Sequence, residues 1–352
     1  MARLDAANAL AAALRQVPDV HTIEIEEELK VSTDARVYRA ILNGEKVVIK
    51  HFLAEDRART VTRAKTELDH LETVFGTGEC QANRCLLALP AQGILVLSFA
   101  PGRRLDETID RLSGTARQGL LAQSGRWILR YAEGRIETTS FGPRFWLRRL
   151  ETGPTDHVGE PRDRDLLARL LAVLGRKTDE LHGTPVLKAA VHGDFCGLNA
   201  HYHDGVIHGI DIQGESRMAV AREVARFLVW QQIHDDRHGD ARRFGIDRAD
   251  WQALLSSGVL GQQEQATSLP FFVGEQLLTR FASEYRRKRI RANSRAASTS
   301  TCSRGSPRST PGASSARRAS CTAASGRCSA TWCARAGPTR SAASRPRPAS
   351  KA

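Results

Sequence analysis

The pair Asn43-Gly44 constrains this chain more than any other short segment, because it lies between "RVYRAIL" (36–42) and "KVVIKHF" (46–52), two runs rich in β-branched and apolar residues. Asn-Gly between such runs is the strongest short-range signal for a two-residue hairpin turn, since both turn positions need a positive φ that Asn and Gly readily adopt. With "HTIEIEEEL" ahead of it, residues 21–52 read as a small antiparallel sheet. From Arg57 to Phe75 the period becomes helical, with Val61, Ala64, Leu68, Leu71 and Phe75 on one face. Strands follow at "CLLALPA" and "GILVLSF", the second running into the turn-like "APGRRL".

Beyond Leu105 the pattern is largely helical, with segments expected near 114–133, 165–182, 219–235 and 270–289. In the second of these, Leu166, Leu167, Leu170, Leu171, Leu174 and Leu181 form an apolar stripe that has to pack against something. The break at "APGRR" therefore divides a small α+β lobe, residues 1–100, from a larger helical one, residues 101–290. The N-terminus "MARLDAANALAAALRQV" reads as an amphipathic helix rather than a signal peptide. No apolar run approaches the ~18 residues needed to span a bilayer.

After Ile290 the composition changes. Residues 291–352 hold eleven Arg and one Lys with no Asp or Glu, and Trp332 is their only large apolar side chain. Ordering such a segment would cost backbone entropy with no apolar burial to offset it, so a disordered tail is expected, either a solvated arm or an out-of-frame product of a GC-rich gene. Of the chain's net charge of +13, this tail carries +12, which leaves +1 for residues 1–290. The body is close to neutral, and the tail lacks the aromatic interleaving that supports base stacking, so no specific nucleic-acid partner is expected. Seven cysteines at irregular spacing match neither a disulfide framework nor a paired zinc pattern, which suits reduced thiols in a cytoplasmic protein. The run "HDDRHGD" (234–240) has no regular metal-ligand spacing and reads as a solvated loop.

The chemistry concentrates in "AVHGDFCGLNAHYHDGVIHGIDIQ" (190–213), where Asp194 and Asn199 stand five positions apart on a loop and Asp211 lies near the end of the following strand. Phosphoryl transfer needs an in-line hydroxyl, divalent metal on the phosphates and compensation of the transferring charge. One carboxylate can take the hydroxyl proton, while an Asn oxygen and a second carboxylate are hard ligands suited to Mg²⁺. Cys196, inside the loop, reads as a small semi-buried residue.

The loop His-Gly-Asp-x-x-x-x-Asn followed by a strand bearing Ile-Asp resembles the catalytic loop and metal-binding strand of the aminoglycoside phosphotransferase family, the small-molecule branch of the protein-kinase-like fold. The resemblance spans about residues 22–235. It implies an α+β, bilobal protein-kinase-like fold with a small antiparallel N-terminal lobe, a five-stranded sheet plus one helix, and a mainly helical C-terminal lobe. It implies Asp194 as catalytic base, Asn199 and Asp211 as Mg²⁺ ligands and His192 as a structural member of the loop. The family also requires a strand lysine, paired with a glutamate on the next helix, to hold the α- and β-phosphates, and Lys50 and Glu67 match in order and spacing. "LVLSFAPGRRL" resembles the linker whose backbone meets the nucleotide base.

Two departures stand out. The segment "KVSTDARV" (30–37), which should cover the phosphates, has no glycine, so close approach falls to backbone amides and the Ser32 and Thr33 hydroxyls. After Asp211 the family's Gly-Asp-Pro is absent, and Glu223 stands about where a bracing Asp is expected. The expected activity is transfer of the γ-phosphate of ATP, or GTP, to a hydroxyl of a small molecule. The alternatives are a kinase-like nucleotide-binding module without turnover, and a kinase acting on a saccharide or protein hydroxyl. Acceptor and oligomeric state are left open by the sequence.

Overall fold

The computed structural model describes residues 2–152, 160–233, 242–243 and 245–283, all of them within a unit spanning Met1–Ser298. The tail at 291–352 and the run at 234–240 lie outside the described residues.

Helix α1 (Ala2–Leu14) precedes the meander β1 (Ile23–Val31), β2 (Ala35–Leu42) and β3 (Glu45–Phe52). The β2–β3 connection is the two-residue Asn43-Gly44 turn, with φ of 50° and 86°, closed by the pair Leu42 and Glu45. Asn43 does a second job: its Oδ1 accepts from the backbone N–H groups of His21 and Thr22, and its Nδ2 donates to the Asp19 carbonyl. The turn thereby fastens the chain where it enters β1. Helix α2 (Arg57–Phe75) buries the five apolar residues expected of it, with Glu67 among them. Strands β4 (Cys80–Ala82), β5 (Cys85–Leu89) and β6 (Ile94–Ser98) follow, and the main sheet has the order β1-β2-β3-β6-β5, antiparallel throughout.

Strand alternation divides this sheet between two cores. Tyr38, Ala40, Leu42, Val47, Ile49, Ile94 and Val96 face outward, where Leu10, Ala11 and Leu14 of α1 cover them. Val48, Leu95 and Leu97 face the other way, toward α2 and the helical half. Two helices therefore flank the sheet, with α1 taking the face that a single helix would have left bare.

The second half opens with β7 (Arg103–Arg104), α3 (Leu105–Arg111) and the buried α4 (Gly114–Ala132). It continues through β8 (Glu137–Ser140), α5 (Pro143–Glu151), α6 (Pro161–Leu181) and β9 (Pro185–Val191). After the motif loop come β10 (Ala200–His203), β11 (Val206–Gly209), β12 (Ser216–Ala219), α7 (Val220–Ile233) and α8 (Arg248–Leu255). A further helix occupies 268–283. Helix α7 is buried on nearly every side and carries charged residues inward with its apolar ones, Arg222 and Glu223 among them. The halves share a small sheet of order β4-β11-β10-β7, in which β4 runs parallel to β11. The architecture is α+β and bilobal. No helix among the described residues is long and apolar enough to cross a membrane.

Leu14 is fully buried against the outer sheet face. We expect Leu14→Ala to lower the unfolding free energy by about 2–5 kcal/mol, measured by denaturant titration.

Candidate active site

The motif loop is held by three separate devices. The first is aromatic: Phe195, the residue after Asp194, is fully buried, stacked on Trp127 of α4 at 4.2 Å between ring centroids and 3° between planes, with Phe227 of α7 on its other side at 5.4 Å. Such a plug contributes its burial plus about 0.5–1.5 kcal/mol for each stacked pair. Gly209 belongs to the same packing, since a Cβ there would stand 2.2 Å from Trp127 Cζ2. The second device is Glu223, whose Oε1 accepts the backbone N–H groups of Gly193 at 3.1 Å and Phe195 at 2.8 Å. The longer side chain thus braces the loop as a shorter acid would. Burial, helped by the Asp194 charge, pushes the Glu223 carboxyl up, opposed by the Arg226 charge and the Phe195 amide. The third device is His192, with Nε2 at 2.8 Å from the Ile210 carbonyl and Nδ1 accepting from Asp194 N–H at 3.2 Å. That arrangement defines a tautomer with the proton on Nε2. Gly193 has a φ of 83°, which lets the chain turn sharply into Asp194.

Asp194 is thus presented from a rigid loop. Asn199 Nδ2 donates to the Asp194 carbonyl at 2.8 Å and to Oδ2 at 3.3 Å, so the amide oxygen is the end of Asn199 left to meet a cation. From the opposite side Arg226 of α7 donates through Nη1 to Asp194 Oδ1 and to the Gly193 carbonyl. Its buried Nε has no hydrogen-bond partner. Arg226 was not among the expected residues. Its signal in the sequence was its position three residues after Glu223, which places both side chains on one face of a helix.

Asp211 departs from the expectation of a strand residue. Strand β11 ends at Gly209, and Asp211 follows with a φ of 64°, a left-handed conformation unusual for any residue but Gly. The Lys50 ammonium lies 2.6 Å from its Oδ1, and Gln213 Nε2 donates to the same oxygen. Burial alone would push the Asp211 carboxyl up, but Lys50, with help from Gln213 and the Lys30 charge, holds it below the usual carboxylate range.

Lys50 and Glu67 were expected to pair, and here they do not. Glu67 Oε2 instead accepts from Arg135 Nη1 at 3.0 Å, while its Oε1 is buried without a partner. Arg135 already neutralises Glu67 from the α4 side, which leaves the lysine to compensate Asp211. The Tyr131 hydroxyl sits beside Glu67 and is pushed well up by burial and by that charge. Ser32 also differs from expectation. Its hydroxyl donates to the Ala35 carbonyl and accepts from Ala35 N–H, so it is committed to the β1–β2 turn. Thr33 lies exposed at the turn. Burial and the Asp194 charge push the Cys196 thiol up to about 12, leaving it protonated and packed.

Among the described residues no cluster of three or more His, Cys, Asp and Glu could hold a metal ion. The donors present, one amide oxygen and one carboxylate already gathering cationic charge, instead suit Mg²⁺, which keeps several waters and relies on phosphate oxygens.

No protein-family model and no curated protein sequence matches the chain. Solved structures do. The chain is similar to APH(2")-IIia in complex with GDP and kanamycin (TM-score 0.55, 12% identity, covering 81% of this chain and 98% of that one). It is also similar to a glucosamine kinase in complex with glucosamine, ADP and inorganic phosphate (TM-score 0.54, 16% identity, 80% and 81%). A third likeness is to a choline/ethanolamine kinase family protein from Mesorhizobium loti (TM-score 0.52, 13% identity, 82% and 87%). The chain has the kinase-like fold of small-molecule phosphotransferases.

Two predictions follow from the geometry of the loop and of Asp211. Glu223→Ala strips the N–H groups of Gly193 and Phe195 of their acceptor, at about 1–3 kcal/mol each, and should lower the unfolding free energy by about 2–6 kcal/mol, whereas Glu223→Gln keeps an acceptor and should lose less than half of that. Because the Asp211 carboxyl titrates below its ordinary 3.8, the stability it contributes is complete above that pH and is lost as pH falls through the lowered folded-state value. Asp211→Asn should therefore flatten the acid limb of the melting temperature below about pH 4, measured by circular dichroism across pH 2–6.

Proposed function

We propose that this protein is a phosphotransferase that moves the γ-phosphoryl group of ATP, or of GTP, to a hydroxyl of a small molecule. The observation that carries the reading is the convergence of Lys50 on Asp211, 161 residues away in the chain, beside the loop bearing Asp194 and Asn199. The likeness to kinases solved with GDP or ADP supports it.

In this reading Asn199 and Asp211 hold Mg²⁺, which compensates charge on the phosphates. Lys50 contacts the α- and β-phosphates, and the buried, unpartnered Oε1 of Glu67 is the acceptor that steadies its ammonium once it leaves Asp211. Asp194 orients the acceptor hydroxyl and takes its proton on a carboxylate oxygen. Arg226 and Asn199 fix the plane of that carboxylate, and Glu223 and His192 fix the loop beneath it. Backbone groups near 98–101 meet the nucleotide base, and Thr33 stands over the phosphates. Residues 1–100 form the nucleotide lobe and 101–290 the catalytic lobe, with Cys80–Ala82 crossing into the second lobe's sheet. The free thiols of Cys80, Cys85 and Cys196 suit a reducing cytoplasm.

One observation favours the alternative of a binding module without turnover: Arg226 already occupies Asp194 Oδ1. Phosphate transfer from Mg·ATP over a panel of amino sugars, neutral sugars and amino alcohols separates the two readings. We expect Asp194→Asn to reduce transfer by about 10²–10⁴-fold while nucleotide affinity stays within a factor of two or so. Undiminished transfer in that variant overturns the role of Asp194, and nucleotide binding with no transfer across the panel favours the module.

A further inference from the structure

The turn between β1 and β2 has no glycine with which to approach phosphate in the manner of a glycine-rich turn. Such turns work by presenting backbone N–H groups at close range. Here Ser32 N–H donates to the Ala35 carbonyl, and the Ser32 hydroxyl is committed to Ala35 as well. The sheet carries a different resource in the adjoining residues. Lys30 is paired across the strands with Val37, and Val37 with Lys50. Residues directly opposite one another in an antiparallel ladder project from the same face, and two strand spacings put the two lysine backbones roughly 10 Å apart.

That face is the one turned to the cleft. Tyr38 and Ile49, one position along from Val37 and Lys50, point to the α1 side, while Lys50 itself reaches Asp211. Lys30, opposite Val37 as Val37 is opposite Lys50, stands on that cleft side of the sheet as well. Strand β1 is otherwise acidic. Lys30, next to the turn, is the only basic residue of this strand.

We propose that Lys30 is a second phosphate-binding lysine, forming with Lys50 a two-ammonium cradle for the nucleotide polyphosphate in place of the backbone amides of a glycine-rich turn. A lysine suits that task as a mobile point charge on a long stem, needing no fixed backbone approach. The inference rests on the phosphotransferase reading and names how that site recognises its donor.

The test is calorimetric titration of the full chain with Mg·ATP, Mg·ADP and adenosine, in wild type, Lys30→Gln and Lys30→Arg. A charged contact of this kind corresponds to about 10–100-fold in affinity. The expected result is a loss of that size for Mg·ATP in Lys30→Gln, with adenosine affinity unchanged and most of the ATP affinity restored in Lys30→Arg. Wild-type ATP affinity in Lys30→Gln, or an equal loss for ATP and adenosine, overturns the role of Lys30 while leaving the phosphotransferase reading intact. A wild-type protein that binds neither nucleotide overturns both, and that failure is read on the unaltered chain.

Discussion

The cleft is organised by the cost of holding carboxylates out of bulk water. An isolated buried carboxylate costs several kcal/mol even after relaxation, so each must find compensation. Here each of the cleft acids draws it from a distant part of the chain. Lys50 of β3 meets Asp211, Arg226 of α7 meets Asp194, and Arg135, just past α4, meets Glu67. Glu223 accepts two backbone amides of the loop it supports. These pairings bring β3, α2, α4, the loop and α7 to one place. Apolar burial supplies the stability, while the charges select which arrangement is reached.

The loop shows how the two kinds of force cooperate. Phe195 drives the chain into the core between Trp127 and Phe227, and that anchor brings its neighbour Asp194 to the edge of the buried region. Cys196 is small enough to remain inside. Asp194 emerges where Asn199 and Arg226 meet it. An aromatic residue directly beside Asp194 therefore sets the depth of that carboxylate.

Much of this was legible in the chain. Asn43-Gly44 announced the hairpin, and the helical period at 57–75 matches α2 from Arg57 to Phe75, because both signals are local. The closeness of Asn199 to Asp194 was legible for the same reason, and the two are hydrogen-bonded. The counter-ions were not legible. Lys50 had two acids to choose between, and the choice was decided by Arg135, which no spacing rule connects to Glu67. The left-handed backbone at Asp211 was hidden as well, since "GVIHGIDIQ" reads as one strand until the parallel pairing with β4 ends it at Gly209. Ser32 looked available because its partner, Ala35, is a backbone group with no side-chain signature.

The pairing of β4 with β11 has a mechanical consequence. Ile207, His208 and Gly209 run alongside Cys80, Gln81 and Ala82, and the ladder is closed at its ends by Ile207 N–H to the Glu79 carbonyl and Asn83 N–H to the Gly209 carbonyl. The halves are thus joined by the covalent crossing after β6, by this strap and by the packing of Phe75 of α2 on Trp127 of α4, and separating them as rigid blocks would break backbone hydrogen bonds in a partly buried strand. Asp211 sits two residues beyond the strap, so its placement is inherited from a backbone ladder between the halves and not from side-chain packing alone.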